Sequence, residues 1–205
     1  MNAINLFTDR RSVNFFDSTK KLELSKVKEI IELATLAPSA FNLQPWRIIV
    51  VSSPESKQKL FDLSNKQPKV LEGSVTLIIV GNKDGYNEEN PVWAEMLKSV
   101  GGNQEMVDGS KQAAAYLYGS SEERKLKFAE SNAGILAMSI MYAAKEFGVD
   151  SHPMSGIDFD GIHEAFSLKS SETVVMSIVL GYFDESKILY PRRPRLSFED
   201  IASIV

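Results

Sequence analysis

Two arginine clusters in this chain have the residue types to hold an anion. Arg10-Arg11-Ser12 lies near the start and Arg192-Arg193-Pro194-Arg195 near the end of a 205-residue sequence whose formal net charge is -4. A guanidinium presents a planar fork of donors matched to phosphate oxygens, so the clusters, joined by folding, make a phosphate clamp with the Ser12 hydroxyl. Left apart, each is a solvated charge cluster. The second candidate is the stretch Ala37-Pro38-Ser39-Ala40-Phe41-Asn42-Leu43-Gln44-Pro45-Trp46-Arg47. Its prolines restrict the backbone, while Ser39, Asn42 and Gln44 supply donors and acceptors, which suits a preorganised ligand wall. A rigid polar connection anchored by Trp46 is the structural alternative. A third group is the pair Lys66 and Lys69.

The same residues narrow the chemistry. There is no cysteine, which removes disulfides, thiolate metal sites and cysteine nucleophiles. His152 and His163 are the only histidines, and neither sits in a metal-ligand spacing. Ser155 lies in Met154-Ser155-Gly156, which is not a nucleophile elbow, so a hydrolase is disfavoured. Glycine-rich phosphate loops of the GxGxxG or GxxxxGK[ST] kind are missing, so side chains must hold any phosphate. The acidic balance argues against a nucleic-acid surface. No apolar run is long enough for a bilayer and the first residues do not read as a secretory signal, which leads to the expectation of a cytoplasmic protein without membrane association.

Positioning these groups falls to a small set of elements. A short helix is expected from about Asn2 to Thr8, followed by an extended stretch from Ser12 to Asp17. Leu24, Val27, Ile30, Ile31 and Ala34 have helical spacing, with Ser25 or a neighbour as cap. Buried strands are expected over Trp46–Val51, Ser74–Val80 and Thr173–Leu180, with a helix from Pro54 to about Ser64. Their near-continuous apolar character requires helices on both sheet faces. The longest helix spans about Glu122 to Phe147 and stops at Gly148, with Leu126, Ala129, Ala133, Leu136, Ala137, Ile140, Ala144 and Phe147 on one face. Its small residues permit close approach of another helix, inside the subunit or across a dimer seam. Residues 82–121 read as an excursion of short helices punctuated by Gly85, Gly101-Gly102, Gly109 and Gly119, inside a single domain covering 1–205. After Gly181 the chain becomes an extended Pro- and Arg-rich arm, with a final helix after Ser197.

Four segments, in order, resemble the flavin-dependent nitroreductase family. They are Arg10-Arg11-Ser12-Val13-Asn14-Phe15-Phe16-Asp17, the Ala37-to-Trp46 loop with its Pro-Ser-x-x-Asn-x-Gln-Pro-Trp pattern, His152-Pro153-Met154-Ser155-Gly156, and Leu180-Gly181-Tyr182 followed by Arg193-Pro194-Arg195-Leu196. The resemblance implies an α+β fold with a central, mostly antiparallel sheet wrapped by helices. It further implies an intertwined homodimer with an extended C-terminal arm and FMN at the subunit interface, reduced by NAD(P)H and reoxidised by a nitroaromatic, quinone or related conjugated small acceptor.

By this resemblance Arg10, Ser12, Arg193 and Arg195 bind the ribityl phosphate, with Arg11 and Arg192 as close substitutes. Pro38, Ser39, Ala40 and Asn42 approach the flavin of the partner subunit. Pro153, Met154, Ser155 and Gly156 face the isoalloxazine edge, with a backbone N–H of Ser155 or Gly156 reaching N5 or O4. Asn14 stands where the family often has a basic residue, which leaves Lys69, with Lys66 or Gln67 beside it, to offset negative charge at N1/O2 of reduced flavin. Ser155 stands where some members are acidic. No catalytic side chain is expected, because the flavin itself accepts the hydride, and alternating use of one open ring face gives ping-pong kinetics. Phe41, Tyr116 and Tyr118 are candidates to line that face. The competing readings are a same-fold flavoenzyme of different reaction, such as enone or pteridine reduction or dehalogenation, and an FMN-binding or storage module without turnover.

Overall fold

Alternating apolar residues in the middle of the chain decide the architecture. In the computed structural model, which describes residues 3–205, Val75, Leu77 and Ile79 of strand β2 (Val75–Asn82) enter one core while Ile78 and Val80 enter another. β2 pairs with β1 (Trp46–Val51) and with β4 (Glu172–Gly181), and β4 pairs with β3 (Asp150–Met154). The sheet order is β1-β2-β4-β3 and every pairing is antiparallel. A register shift at Ile79/Val80 interrupts the β2–β4 ladder.

On the first face lie α2 (Leu24–Ala34) and α7 (Glu122–Glu146), whose Val27, Ile30, Ala133, Leu136, Ala137 and Ile140 are buried against Leu77 and Leu180. On the other face Leu60 of α3 (Pro54–Asp62), Val70 of α4 (Lys69–Glu72) and Ile162 of α8 (Phe159–Ala165) close over Ile78 and Val179. Both faces are covered, as the apolar strands require. α1 (Ala3–Asp9) precedes α2, and its expected start at Asn2 lies outside the described residues. α5 (Val92–Ser99) and α6 (Gln104–Tyr118) build a separate small core of Leu43, Trp93, Val107, Ala114 and Phe128. The tail from Glu185 is almost wholly exposed and carries α9 (Phe198–Ile201).

Several expectations change. Residues 150–154 form a strand in addition to the expected three. α2 is entered through Glu23 without a side-chain cap, so Ser25 does not serve as one. Gly109 lies inside α6, where a side chain would meet nothing, so it punctuates nothing. Leu126 and Phe147 remain 38% and 36% exposed instead of joining the buried face of α7. Gly148 does end that helix, at φ +71°, a conformation open to glycine. No helix among the described residues is long and apolar enough to cross a membrane.

Candidate functional site

The first wall of the site forms where the two ends of the chain meet. After α1 the backbone runs extended along the sheet: Val13 N donates to Ser151 O at 3.2 Å, Ser12 bridges Ser151, and Asp17 N donates to Tyr182 O at 2.9 Å. The tail then folds back over this segment. Arg192 Nη2 donates to the carbonyls of Thr8 at 2.6 Å and Arg10 at 2.9 Å, and the Arg11 guanidinium donates to Tyr190 O. The result is a cleft of about 310 Å³ lined by Arg10, Arg11, Ser12, Asn14, Arg192, Arg193 and Arg195 together with Tyr190 and Pro191. Folding thus joins the two arginine clusters.

Like charges dominate the electrostatics of this cleft. Burial, and after it the positive field of Arg192, followed by smaller effects of Arg195 and Arg11, lowers the Arg10 guanidinium from its ordinary value against a weaker opposing effect of Tyr142. Arg10 Nη1 is buried with no hydrogen-bond partner. A buried, unpartnered charge among like charges is costly, and a phosphate-like dianion between these groups removes both penalties.

A second wall continues from the first along β3. His152 Nδ1 lies 2.7 Å from Val13 O, and since a carbonyl only accepts, Nδ1 carries the proton. Burial, and next the Lys69 ammonium, push the His152 pKa below its ordinary value, with the Val13 contact opposing. The Lys69 ammonium is itself shifted down by burial, against a weaker effect of Glu72. Lys69 Nζ donates to Gln67 Oε1 at 3.3 Å, and Gln67 Nε2 donates to Gly156 O at 3.1 Å. Pro153 is half-buried, and Ser155 and Gly156 are exposed. Met154 is buried in the core over the sheet, and none of residues 153–156 lines the arginine cleft.

The loop from Ala37 to Arg47 is placed elsewhere. Phe41, Asn42 and Gln44 have φ of 51°, 56° and 49°, left-handed values that non-glycine residues adopt only when their surroundings compel them. Compulsion comes from Ser39 Oγ, which accepts Gln44 N at 3.0 Å, from Asn132 Oδ1 on α7, which accepts Ala40 N at 2.9 Å, and from Asn90 Nδ2, which donates to Leu43 O at 2.9 Å. Phe41 packs against Trp93 and Tyr118, while Tyr118 stacks on Phe128 at 4.4 Å. Tyr116 points away, 76% exposed. Arg47 is committed to Glu172 through bonds of 2.7 and 2.8 Å. Burial pushes the Glu172 carboxyl up, but the bonds from Arg47 and the Lys169 amide outweigh it and hold it below its ordinary value. Among the described residues, the hydrogen-bond partners of Ser39, Ala40 and Asn42 lie in α7 or in the loop itself, and not in the arginine cleft.

Three residues escape a reading of the sequence. His152 ties the arginine segment to β3, Asn132 holds the loop, and Asn65 donates to Gly156 O at 3.0 Å. Only Asn65 carries a signal, since asparagine tolerates the left-handed backbone it adopts at φ 50°.

With this geometry in place, relatives can be compared. The sequence profile of the nitroreductase family matches residues 7–182. A provisionally named NAD(P)H nitroreductase of Bacillus subtilis (strain 168), MhqN, is 33% identical over 193 residues, covering 93% of this chain and 91% of the relative. The CLA biosynthesis enone reductase of Lactiplantibacillus plantarum is 30% identical over 177 residues, covering 84% and 82%. The structure of a provisionally named nitroreductase of Exiguobacterium sibiricum 255-15, in complex with FMN, superposes with a TM-score of 0.88 at 27% identity, covering 100% of this chain and 98% of that one. The profile match across most of the chain and the 33% identity to MhqN over 93% of it lead to one assignment: this chain belongs to the nitroreductase family.

Proposed function

We propose that this chain carries FMN with its phosphate in the arginine cleft and its ring along Lys69 and the 153–156 segment, and that it passes a hydride from NAD(P)H to a nitroaromatic, quinone or related conjugated small acceptor in ping-pong fashion. Family membership makes the chain an oxidoreductase that uses FMN and NAD(P)H. The observation that carries the placement is the buried, unpartnered Arg10 Nη1 in a cleft of arginines. The donor set fits a dianionic phosphate: arginines from both chain ends and Ser12 line one cleft.

Bound FMN supplies hydride transfer at N5 and spreads the resulting charge over its ring system. The chain's own residues fix and bias it. Arg10, Arg11, Ser12, Arg193 and Arg195 hold the phosphate, with Asn14 at the edge of the same cleft. Lys69, oriented by Gln67, presents a cation where negative charge develops on reduction. Pro153, Met154, Ser155 and Gly156 border the reacting edge through their backbone. Pro38, Ser39, Ala40 and Asn42, held by α7 and the excursion, serve the FMN of a second subunit in a homodimer. Residues 82–121 cover the open ring face within a single domain spanning 1–205, and so select the acceptor.

A second reading keeps the cofactor and replaces the acceptor with an enone. Its support is the Lactiplantibacillus plantarum relative, named as an enone reductase. Steady-state oxidation of NADH and NADPH with menadione, a nitroaromatic and an enone in parallel separates these. Tight FMN binding without flavin reduction by either nucleotide overturns turnover altogether and makes the chain a binding or storage module.

A further inference from the structure

The carbonyl of Gly156 receives more attention from side chains than a surface loop needs. Asn65 Nδ2 donates to it at 3.0 Å and Gln67 Nε2 at 3.1 Å. Just beyond, Asp158 N donates to Leu63 O at 2.7 Å. The turn between α3 and α4 therefore ties the segment after β3 at two successive places. To bring both amides to one oxygen, the turn puts Asn65 and Lys66 in left-handed backbone, φ 50° and 52°. That conformation is unfavourable for a long side chain such as lysine and persists only where surrounding structure over-determines it. Gln67 is in turn held by Lys69, so a cation, two amides and one peptide group form a connected chain.

We propose that Asn65, with Gln67, is a positioning residue for the reaction: the pair fixes the Gly156 peptide, and through it the backbone that borders the reacting edge of the flavin. The inference rests on the functional reading above. Asn65 itself need not touch the flavin; its amide is spent on the Gly156 carbonyl. A carbonyl with both lone pairs engaged cannot rotate without losing two bonds, so the Gly156–Ile157 peptide keeps one direction and anchors the Ser155–Gly156 backbone at its C-terminal side. Fixed donors act on developing charge without reorganising, and that advantage is lost when the loop is free to turn.

The geometry supplies a clean variant. At φ 50° glycine is more at ease than asparagine, so Asn65→Gly removes the donor while favouring the backbone. With FMN titrated into the purified chain, Asn65→Gly retains affinity within about threefold, because the phosphate clamp supplies most of the binding. Its rate of flavin reduction by NAD(P)H falls about tenfold, the equivalent of one hydrogen bond. The midpoint potential of the bound flavin shifts away from the parent's. In the cofactor-free variant, amide hydrogen exchange accelerates over residues 155–158 and not over β2. Gln67→Ala accelerates exchange over the same residues, and the double variant exceeds either alone. Parent-like exchange in Asn65→Gly overturns the clamp itself. Faster exchange with unchanged potential and reduction rate overturns its role toward the flavin and leaves a structural tie. A parent chain that binds no FMN overturns the functional reading before any variant is compared, which keeps the two failures apart.

Discussion

Arg10 concentrates the argument at the scale of single residues. Its guanidinium is partly withdrawn from water, repelled by Arg192, Arg195 and Arg11, and left with Nη1 unpartnered. Replacing it should therefore separate binding from stability. Arg10→Ala is expected to weaken FMN by about tenfold to a hundredfold, the worth of a charge-assisted hydrogen bond at ~1.5–3 kcal/mol, while the cofactor-free chain melts no lower than the parent. Titration and thermal melting of the same preparation test both halves, and an equal loss in each would make Arg10 structural. His152 gives a pH test. Its folded pKa lies below the ordinary 6.5, so stability tied to the neutral ring is fully present above that value. As pH falls through 6.5 toward the folded pKa, the unfolded chain takes up a proton that the folded one resists, and this stability is lost. Urea midpoints between pH 7.5 and 5 should decline less for His152→Gln than for the parent; identical declines would remove His152 from the account. The two arginine clusters stood out in the sequence because guanidinium groups mark a possible anion site in an acidic chain, and folding brings them to one cleft; Asn14 and the part given to Lys69 came only from the family resemblance. His152 did not stand out, because its partner is the Val13 carbonyl and no side-chain pattern announces a backbone acceptor; Asn65 offered only asparagine's tolerance of left-handed backbone.

Elements were legible in proportion to their periodicity. β1, β2, β4 and α7 emerge from continuous apolar or 3.6-residue patterns and are found within a few residues of expectation. β3 was hidden because Asp150-Ser151-His152-Pro153-Met154 has no apolar alternation and contains a proline. An edge strand tolerates that proline, since its outward side needs no N–H donor, and β3 is an edge. α6 was fragmented on paper by Gly109, a helix-weakening residue that packing overrides. Between these elements the strained turn at Phe41, Asn42 and Gln44 depends on α7, chiefly on the buried Asn132, which accepts Ala40 N and donates to Phe128 O at 2.7 Å. Asn132→Leu fills the same space and removes both bonds. The Ala40 amide left without a partner should cost about 1–3 kcal/mol, while the Phe128 carbonyl keeps its helical bond. Urea denaturation of the cofactor-free chain measures it, and parent-like stability would show that Phe41 packing alone holds the turn.

For the whole molecule, the outstanding feature is apolar surface that one copy does not cover. Ile4, Phe7, Leu36 and Ile135 stand 67%, 63%, 79% and 45% exposed on the body, and Ile188, Leu196, Phe198 and Ile201 stand 82%, 70%, 60% and 70% exposed along the tail. An extended arm so rich in apolar side chains buries too little by itself to offset its ordering entropy, so it needs a second surface. The proposed second copy would answer both exposures at once, and would also give the loop at Ser39 and Asn42, remote in its contacts from its own arginine cleft, a flavin to serve. The proposed homodimer predicts a sedimenting mass twice that of one chain, independent of FMN. Removing residues 186–205, which lie beyond the family-matched span of 7–182, should yield a monomer. Because the deletion also takes Arg192, Arg193 and Arg195, its loss of FMN is ambiguous alone. The full-length chain with those three arginines changed to alanine resolves it, since it should remain dimeric while binding FMN weakly. A truncated chain that still sediments as a dimer would show that the body, through α1, α2 and α7, holds the copies together and that the arm contributes only its arginines.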